Sequence, residues 1–356
     1  MPEPPESIRT GDVTGLTVAQ FSGPPDSWDA FLERHPGWTI FHRYAWKGVI
    51  ERVFGHRCEY LAATDSGGAL HGVLPLVEVR SMLFGRYLVS MPFVNYGGPL
   101  GSDAAVRALA QAAVELARSR QSGLLELRSR VSLPVELPVS HRKVTVVLDL
   151  PPGAPERLWQ AMGSKVRSQI KRPQKEGVEV RFGPDQVEPF YQVFRHHMRD
   201  LGTPTQSLAF FQAMRDAFGE SMWAGAAWYQ GAPVAGGIGF RWGREFEMTW
   251  ASSLAAHQRI APNMLLYWAF MERCAQEGLQ LFNFGRCTPG AGTHRFKRQW
   301  GSRDEQLWWY QHTSDGAEAA TPSPDDSRYA WGPRLWRHLP VPLATALGPW
   351  IVRGIP

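Results

Sequence analysis

The chain has 356 residues, 44% of them hydrophobic and 12% aromatic. This length favours two domains, and the apolar content excludes a mainly disordered protein. The 38 basic and 33 acidic residues leave a net charge of +5, which permits an anionic partner. DNA-binding modules usually concentrate more basic charge on one face than this modest excess indicates. No DNA partner is therefore expected.

The three cysteines, Cys58, Cys274 and Cys287, stand far apart. Their spacing predicts neither a zinc site nor a disulfide framework, and it fits a reducing, cytoplasmic compartment. Residues 1–7 are acidic and rich in proline, unlike a signal peptide. Since no run approaches the roughly 18 apolar residues of a spanning helix, we expect a cytoplasmic protein, soluble or peripheral at the inner membrane.

Hydrophobic periodicity and turn signals divide the first part of the chain into short elements. A disordered leader is expected at residues 1–14. Strands are predicted at residues 16–21, 58–64, 69–79, 87–90, 123–128 and 143–150, and helices at 28–34, 44–53 and 104–119. Asp26 and Ser27 are candidate N-cap residues for the first helix. The sequence Asp65-Ser-Gly-Gly68 predicts a hairpin between the second and third strands.

The rest of the chain repeats this order of elements. Helices are predicted at residues 155–171, 186–199, 207–218 and 262–276, and strands at 178–182, 222–229, 232–241, 245–253, 279–284 and 306–310. Helices and an antiparallel meander occur in the same order twice along the chain. This repeat indicates an internal duplication in the α/β or α+β class. The two domains are predicted at residues 15–150 and 151–313, followed by a linker and C-terminal tail at 314–356.

The tail differs in composition from the rest of the chain. After a polar linker at residues 314–327, residues 328–356 carry Trp331, Trp336 and Trp350 together with four Arg and five Pro. Tryptophan and arginine beside apolar residues fit a peripheral membrane contact. Packing against the body of the protein is the other interpretation. In either case the prolines exclude one long amphipathic helix.

A segment of eleven residues that begins at Lys165 carries five cations. In a helix, Arg167 and Lys171 share a face at i, i+4, whereas Pro173 is expected to end or kink the helix before Lys175. Clusters of this kind bind phosphate or carboxylate. The segment is therefore either a binding site for a phosphorylated substrate or a solvated helix face.

A glycine-rich turn follows the next-to-last predicted strand. It brings together the guanidinium of Arg286, the hydroxyls of Thr288 and Thr293, and backbone N–H groups near Gly290, which suit an anion or a developing oxyanion. It lacks the Gly-Lys-Ser/Thr ending of a nucleotide P-loop. Lys297, a few residues later, either stabilises a tetrahedral intermediate or is one more surface lysine.

Signatures of other chemistries are missing from the sequence. His196 and His197 have no carboxylate at metal-ligand spacing and are expected on the surface, and no Gly-x-Ser-x-Gly elbow occurs. Acetyltransferases that use coenzyme A hold its pyrophosphate with backbone N–H groups of a glycine-containing loop at a helix N-terminus. Here Ala261 stands at the glycine position and Pro262 has no N–H. Coenzyme A binding in that manner is disfavoured, and no metal is expected.

Three motifs carry a resemblance to a known family. The most specific is Phe282-Asn-Phe-Gly-Arg-Cys-Thr-Pro-Gly-Ala-Gly-Thr-His-Arg-Phe-Lys-Arg-Gln-Trp-Gly301. The others are the residues 163–170 with Glu176-Gly-Val178, and Asn95-Tyr-Gly-Gly-Pro99. On these motifs the chain resembles, over roughly residues 16–312, the Fem (FemAB-like) family of aminoacyl transferases. Within it, the chain is similar to the Fem-like group associated with exosortase (PEP-CTERM) and exopolysaccharide loci.

The resemblance implies two tandem GNAT-like domains, that is, acyl-CoA N-acyltransferase-type domains with mixed central sheets flanked by helices. It implies that the acceptor binds in a cleft of the first domain and between the two domains. Family members that build peptidoglycan bridges take an amino acid from aminoacyl-tRNA. They form a peptide bond with a lysine-type amine of a nucleotide- or lipid-linked precursor.

The resemblance also implies roles for individual residues. The family pattern Phe-Lys-x-x-aromatic-Gly matches the stretch that begins at Phe296, which makes Lys297 the stabiliser of the tetrahedral intermediate, helped by Arg286. Arg167 corresponds to a residue that contacts the precursor's phosphates. Arg43 lies near the position where the family places another basic residue that contacts the substrate. The full set of expected substrate-binding residues is Lys165, Arg167, Lys171, Arg43, Tyr96, Thr288, Gly290, Thr293 and His294.

The leading hypothesis is an N-acyl or aminoacyl transferase that forms an amide on an amine of a cell-envelope or exopolysaccharide precursor. No bound cofactor is expected, and the co-substrate is either aminoacyl-tRNA or acyl-CoA. Two departures from the bridge-forming enzymes are a displaced acid, Asp103, and the lack of a long coiled-coil insertion. One alternative is an acyl-CoA-dependent transferase acting on a polysaccharide or small amine. Another is a non-catalytic binder of a phosphorylated glycan carrier.

Overall fold

The chain forms two compact units. A computed structural model describes residues 15–81, 85–313 and 331–355. The described residues divide between a first unit, within residues 1–141, 306–321 and 353–356, and a second unit, within residues 142–305 and 322–352. The expected leader at 1–14 and the expected linker at 314–327 lie outside the described residues.

The elements follow one another closely along the chain. Up to residue 141 the elements are β1 Thr17–Gln20, α1 Pro25–Arg34, α2 Ala45–Phe54, β2 Arg57–Thr64, β3 Leu70–Ser81, β4 Gly85–Val89, β5 Leu100–Gly101, α3 Asp103–Ser119, β6 Leu124–Ser129 and β7 Val139–Ser140. The remaining elements are β8 Val144–Asp149, α4 Pro155–Ala161, α5 Ser164–Lys175, β9 Glu179–Phe182, α6 Val187–Leu201, α7 Leu208–Phe218, β10 Met222–Tyr229, β11 Ala232–Trp242, β12 Glu245–Ser253, α8 Pro262–Gln276, β13 Leu281–Cys287, α9 Gly292–Arg298, β14 Arg303–Gln306, β15 Trp308–Thr313, α10 Trp331–Trp336 and α11 Val341–Val352.

Each unit contains one mixed sheet. The first sheet has the order β1-β2-β3-β4-β6-β15-β7 with β5 beside β3, and β4 runs parallel to β6. The second has the order β14-β8-β13-β12-β11-β10-β9, and β12 runs parallel to β13. Helix α3 packs on the first sheet, and α6 and α8 pack on the second. The expected α/β (α+β) architecture of two GNAT-like units, each with a mixed sheet flanked by helices, is confirmed.

Two strands lie in different sheets from those expected. The strand expected at 143–150 to close the first domain is β8, which pairs with β13 in the second sheet. The strand expected at 306–310 to finish the second domain is two strands, of which β15 pairs with β6 in the first sheet. Alternating apolar residues identify a strand, but they do not identify its partner, because pairing joins residues far apart in sequence. The units therefore separate after residue 141, not after residue 150.

The helix predicted at 155–171 is both interrupted and longer. A break after Ala161 separates α4 from α5, and α5 continues through Pro173 to Lys175. Pro173 lies close to the end of the helix, so the N–H that it lacks removes only one of the last helical hydrogen bonds. Of the two alternatives for Pro173, the one in which the helix ends before Lys175 is wrong.

Two further local expectations differ from the structure. Helix α1 begins at Pro25, and Asp26 and Ser27 lie inside its first turn instead of capping it. Proline suits the first helical position because its φ is preset and its missing N–H would have had no helical partner. Helix α9 covers residues that the sequence predicts as a turn, since its glycine and threonine have low helix propensity.

Aromatic packing fixes α9 against β13 in the second unit. The ring of Tyr267 on α8 lies 5.7 Å from that of Phe284 on β13 and 5.0 Å from that of Phe296 on α9. Trp300, directly after α9, is 3% exposed and belongs to the same core. Aromatic pairs at these distances contribute about 0.5–1.5 kcal/mol each beyond their buried area. The end of β13 and the start of the following helix are thus held in one arrangement.

The C-terminal tail forms two short helices that pack on the second unit. Both α10 and α11 contact α6, and Arg199 Nη1 donates a hydrogen bond to the carbonyl oxygen of Leu339 (2.9 Å). A Cβ added at Gly348 would lie 2.8 Å from the backbone nitrogen of Thr205, so α11 approaches the second unit closely. The packing interpretation is confirmed for this inner face. No helix among the described residues is both long enough and apolar enough to cross a membrane.

Candidate active site

Lys297 lies on α9 with its side chain turned back to the end of β13. It is 8% exposed, and its Nζ donates hydrogen bonds to the carbonyl oxygens of Gly285 (2.8 Å) and Arg286 (3.0 Å). A protonated amine has three N–H donors, and these carbonyls take two of them. The burial excludes the interpretation of Lys297 as a surface lysine. Its catalytic role stays a prediction.

The surroundings of Lys297 shift its pKa towards neutrality. The pKa of the Lys297 ammonium is lowered to about 8, chiefly by burial; Cys287 and Glu247 act in the opposite direction, and the nearby Arg286 charge contributes to the lowering. The amine is therefore mostly charged at pH 7 and becomes neutral above pH 8. A lysine with this property can stabilise negative charge in a site from which water is excluded.

A buried polar network supports the carbonyls that Lys297 contacts. Asn283 Oδ1 accepts hydrogen bonds from Thr145 Oγ1 (2.6 Å) and from the Gly285 N–H (2.8 Å). Asn283 Nδ2 donates to Glu245 Oε1 (2.8 Å). Glu247, on the neighbouring strand β12, is 0% exposed. These groups fix the end of β13 because each polar atom in such an interior needs its partner.

Sequence reasoning did not single out any member of this network. The available signal was a polar residue, Asn283, between two phenylalanines of an apolar strand. A buried amide in that position is costly unless it is hydrogen-bonded. Its partner on β8 could not be found from the sequence, because β8 was expected in the other sheet.

His294 holds the glycine-rich turn. Its Nδ1 accepts a hydrogen bond from the Gly290 N–H (3.1 Å), and its Nε2 donates to Asp304 Oδ2 (2.9 Å). Arg295 Nη1 donates to the Gly290 carbonyl oxygen (2.7 Å), and Gly290 has a φ of +79° that favours glycine. The Gly290 N–H is thus used within the turn, and the substrate contact expected of His294 stays a prediction.

The other residues predicted around this turn differ in exposure. Thr288 is exposed, and its Oγ1 accepts a hydrogen bond from Lys143 Nζ (2.7 Å). Thr293 is exposed in the first turn of α9, and Arg286 is half-buried on β13. The structure therefore brings Arg286 and Lys297 to the end of β13, with Thr288 and Thr293 at the surface of the turn.

The basic helix α5 borders an open groove of about 420 Å³, which we call the basic groove. Its lining residues are Ser164, Arg167, Ser168, Lys171, Arg172, Lys175 and Glu176. Four cations thus face one carboxylate, whereas Lys165 is exposed and lies outside this lining. The groove includes Lys175, which continues the face of Arg167 and Lys171 because α5 does not end at the proline.

Two cations of the basic groove are anchored by neighbouring groups. Arg167 Nη1 donates to the carbonyl oxygens of Trp159 (3.4 Å) and Gln160 (3.2 Å), in the last turn of α4. Lys171 Nζ lies 5.7 Å from the centre of the Trp159 ring. A guanidinium has five N–H donors, so Arg167 can cap α4 and still bind an anion. Helix α8 connects the two regions, since it packs on α5 and also contacts α9 through Tyr267.

Arg43 has partners within the first unit. Its guanidinium forms ion pairs with Asp29 (3.2 Å) and Glu33 (2.5 Å) of α1, and it lies 5.0 Å from the centre of the Trp38 ring. Two carboxylates offset its charge, and the ion pairs fasten the loop before α2 to α1. A contact between Arg43 and substrate stays a prediction.

Tyr96 borders a cavity of about 160 Å³ in the first unit. The cavity is also lined by Asp103, Arg128 and Arg130, and the Arg130 guanidinium lies 5.3 Å from the centre of the Tyr96 ring. Tyr96 itself is 1% exposed. The displaced acid Asp103 and the predicted Tyr96 therefore share one cavity.

The wall of this cavity is rigid. His42 is buried, and burial lowers its pKa to about 4, with weaker effects in the opposite direction from backbone hydrogen bonds. Its Nε2 donates to the Gly98 carbonyl oxygen (3.0 Å). A Cβ added at Gly97 would lie 2.4 Å from Met91 Cγ, and Met91 has a φ of +55°. The segment before Pro99 thus tolerates little change.

The segment expected to disfavour coenzyme A has a strained backbone. Ala261 has a φ of +55° and directly precedes Pro262, the first residue of α8. Left-handed backbone is unfavourable for alanine by about 1–2 kcal/mol, and proline offers no N–H to a pyrophosphate.

Residues 162–298 match the family model described as "Acetyltransferase (GNAT) domain". This range includes α5, with the basic groove, and Lys297 on α9. A segment of 113 residues is 29% identical to the UDP-N-acetylmuramoylpentapeptide-lysine N(6)-alanyltransferase of Weissella viridescens. The match covers 30% of this chain and 34% of that enzyme, so the chain matches only about a third of the relative's length.

Solved structures share the fold over most of the chain. The crystal structure of FemX superposes with a TM-score of 0.62 at 14% identity, covering 82% of this chain and 96% of that one. The C-terminal domain of a putative lysylphosphatidylglycerol synthetase from Agrobacterium fabrum gives 0.55 at 12% identity, covering 82% of this chain and 92% of that one. At such identities the likeness shows the fold alone.

The fold and these matches define the class of the protein as one with tandem GNAT-like units. Within that class, a segment of 113 residues shows homology with the Weissella alanyltransferase.

Proposed function

We propose that the chain is an N-acyl or aminoacyl transferase that forms an amide on an amine of a phosphorylated cell-envelope or exopolysaccharide precursor. The observation that carries the proposal is Lys297, a buried and mostly charged lysine held at the end of β13 by two carbonyl oxygens. Such a group suits the oxyanion of an acyl-transfer intermediate.

The proposed reaction is amide formation by attack of an amine on an activated carbonyl carbon. The new N–C bond forms as the ester C–O bond of an aminoacyl-tRNA, or the thioester C–S bond of an acyl-CoA, breaks. The attacking amine loses a proton to the leaving group or to water. The third N–H of Lys297, with the charge of Arg286, faces the negative charge that develops on the carbonyl oxygen.

The acceptor is proposed to be a nucleotide- or lipid-linked precursor with phosphate groups. Four cations line the basic groove against one carboxylate, and phosphate is an anion that arginine binds through its planar fork and lysine as a point charge. The Weissella relative is named for an acceptor of this class, a UDP-linked muramyl pentapeptide with a lysine amine. We place the reaction at the cytoplasmic face of the membrane and within the exosortase- and exopolysaccharide-associated Fem-like group.

We favour aminoacyl-tRNA over acyl-CoA as the donor. The strained Ala261 and the N–H-free Pro262 stand where a coenzyme A-dependent acetyltransferase offers backbone donors. The acyl-CoA route remains the alternative that a donor screen separates.

The test is a donor screen with the full chain and a nucleotide-linked peptide precursor that carries a free amine. We expect a new amide, detected by mass spectrometry, with alanyl-tRNA and none with acetyl-CoA. Binding of the precursor without transfer from any donor would identify a non-catalytic binder and would overturn the proposal.

Lys297→Ala is expected to lower turnover by about 10²–10³-fold, the typical effect of removing one oxyanion donor. Arg215→Ala, which changes a surface cation of α7 paired with Glu188 (3.7 Å), is the matched control and should keep the wild-type rate. A Lys297→Ala variant with wild-type turnover would remove Lys297 from the mechanism.

A further inference from the structure

Helix α11 has an outward face made only of apolar residues. Leu343, Leu347 and Trp350 recur at i, i+4 and i+7, which places them on one side of the helix. They are 45%, 42% and 73% exposed, respectively. The opposite side carries Ala344 and Gly348, which are buried, and Gly348 is the residue in close contact with Thr205. Helix α11 thus packs on the second unit with one face, and its opposite face is exposed.

The preceding helix adds positive charge and one more exposed leucine. Leu335 of α10 is 62% exposed, and Arg334, Arg337 and His338 are exposed beside it. Residues 328–356 contain four Arg and no Asp or Glu. Any partner of this surface therefore meets apolar side chains and cations, without a compensating carboxylate from the tail.

We propose that the outer face of α11, with Arg334 and Leu335 of α10, lies in the headgroup region of an anionic lipid bilayer. Tryptophan and leucine on one face, with arginine at the boundary, are typical of helices that lie in the plane of a membrane surface. Anionic headgroups complement the cations of the tail. The inference goes beyond acyl transfer, because it concerns where the chain is held and not what it catalyses.

The length of α11 separates surface attachment from insertion across the bilayer. Its 12 residues extend over about 18 Å at 1.5 Å per residue, well short of the ~30 Å hydrocarbon core. Its inner face is already packed on the second unit. The helix can therefore bury only its outer side chains in lipid, to a depth of about 5–10 Å.

Vesicle flotation with the full chain tests this attachment. The vesicles are pure phosphatidylcholine or phosphatidylcholine with about one third phosphatidylglycerol. We expect flotation with the anionic vesicles at low salt and little with the neutral ones, since each arginine near an anionic surface adds about five-fold to partitioning. Leu343→Ser, Leu347→Ser and Trp350→Ser combined should weaken partitioning by on the order of 100-fold.

Two variants serve as controls for this experiment. Val139→Ser changes an apolar residue that is 39% exposed in the first unit and should float like the wild type. Arg334→Gln should reduce flotation about five-fold. Arg337 is left unchanged because its Nη2 donates to the Leu201 carbonyl oxygen (3.3 Å).

The outcomes that overturn the proposal are equally definite. One is a wild-type chain that does not bind anionic vesicles, and another is a triple variant that binds them equally well while its thermal unfolding stays cooperative. A concentration-dependent dimer of the wild type, lost in the triple variant and unaffected by vesicles, would instead identify a second copy as the occupant. Flotation needs no substrate, so its failure leaves the acyl-transfer proposal intact.

Discussion

Lys297 combines burial with a positive charge that it mostly retains at neutral pH. Two carbonyl oxygens at the end of β13 compensate part of its lost hydration, and Glu247 favours its charged form against the effect of burial. The residue therefore delivers charge to a position from which water is largely excluded, where an electrostatic contact is stronger than at the surface.

Titration of Lys297 predicts a pH limit for catalysis. Burial lowers the pKa of Lys297 from 10.5 to about 8. The charged form, which on the proposed function stabilises an oxyanion, is therefore present below pH 8 and is lost as the pH rises through it. We expect turnover to fall about tenfold per pH unit above this value. The acceptor for this measurement is an amine of low pKa, such as a hydroxylamine, which stays neutral above pH 8. The fall in turnover above pH 8 then reflects a group of the enzyme and not the acceptor.

The control for the pH profile is Lys297→Arg, because a guanidinium stays protonated throughout. If it folds and retains activity, its profile should lack the falling limb near pH 8. A wild-type rate that is constant or rises up to pH 9.5 would contradict the assignment of the charged amine to the transition state.

Individual residues differ in how far the sequence could assign them. The resemblance to the family pattern marked Lys297 as a candidate, whereas its burial depends on packing that only the fold reveals. His294 was predicted to bind substrate, yet its two ring nitrogens contact Gly290 and Asp304. The hydrogen bond to Asp304 joins residues on either side of α9, and a sequence read as a turn gave no reason to expect it.

At the scale of elements, α5 shows how a proline can be misread. The sequence predicts a stop before Lys175, and the helix nevertheless completes its last turn and adds that lysine to the basic groove. Most other helices and strands begin and end within a few residues of their predicted bounds, because their apolar period is local information. The pairing of β8 and β15 is not local, and both were assigned to the wrong sheet.

The basic groove predicts a change in substrate affinity with little change in turnover. Lys171→Ala with Lys175→Ala removes two cations that face solvent and, on the proposed function, substrate phosphates. We expect KM for the phosphorylated acceptor to rise about 30–150-fold, at 1–1.5 kcal/mol for each of the two charge-assisted contacts, with kcat nearly constant.

The readout is KM against kcat for the double variant, measured with the nucleotide-linked acceptor at two salt concentrations. Added salt should raise KM of the wild type more than that of the variant. Arg157→Ala, an exposed cation of α4 outside the groove lining, should leave both constants unchanged. An unchanged KM in the double variant would show that the basic face of α5 is a solvated helix face and not a substrate-binding site.

At the scale of the whole molecule, the first of the two units is discontinuous in sequence. Its sheet needs β15, which follows residues 142–305 of the second unit along the chain and pairs with β6 from end to end. Strand β15 also supports a buried ion pair, since Gln311 Nε2 donates to Glu126 Oε2 (2.7 Å) and Trp309 lies 4.6 Å from the Arg128 guanidinium. Completion of the first unit therefore awaits synthesis of residues beyond 305.

Truncation tests this dependence. A chain that ends at residue 305 loses β15 and exposes β6, and it leaves the Glu126–Arg128 pair (2.7 Å, 1% and 3% exposed) without two of its neighbours. Leaving the buried Glu126 carboxylate without its Gln311 donor costs about 1–3 kcal/mol. The lost pairing of β15 with β6 adds to this cost, against the ~5–15 kcal/mol stability of a typical domain. We expect the first unit of this fragment to be unfolded, with a smaller m-value in urea.

A chain that ends at residue 313 is the matched control, because it also lacks α10 and α11 but keeps β15. It should unfold cooperatively with an m-value close to that of the full chain. If both truncated chains fail to fold, Gln311→Ala in the full chain decides the point, since it removes one partner of Glu126 and should lower stability by about 1–3 kcal/mol. Equal stability of the two truncated chains, both folded, would show that β15 is dispensable to the first unit.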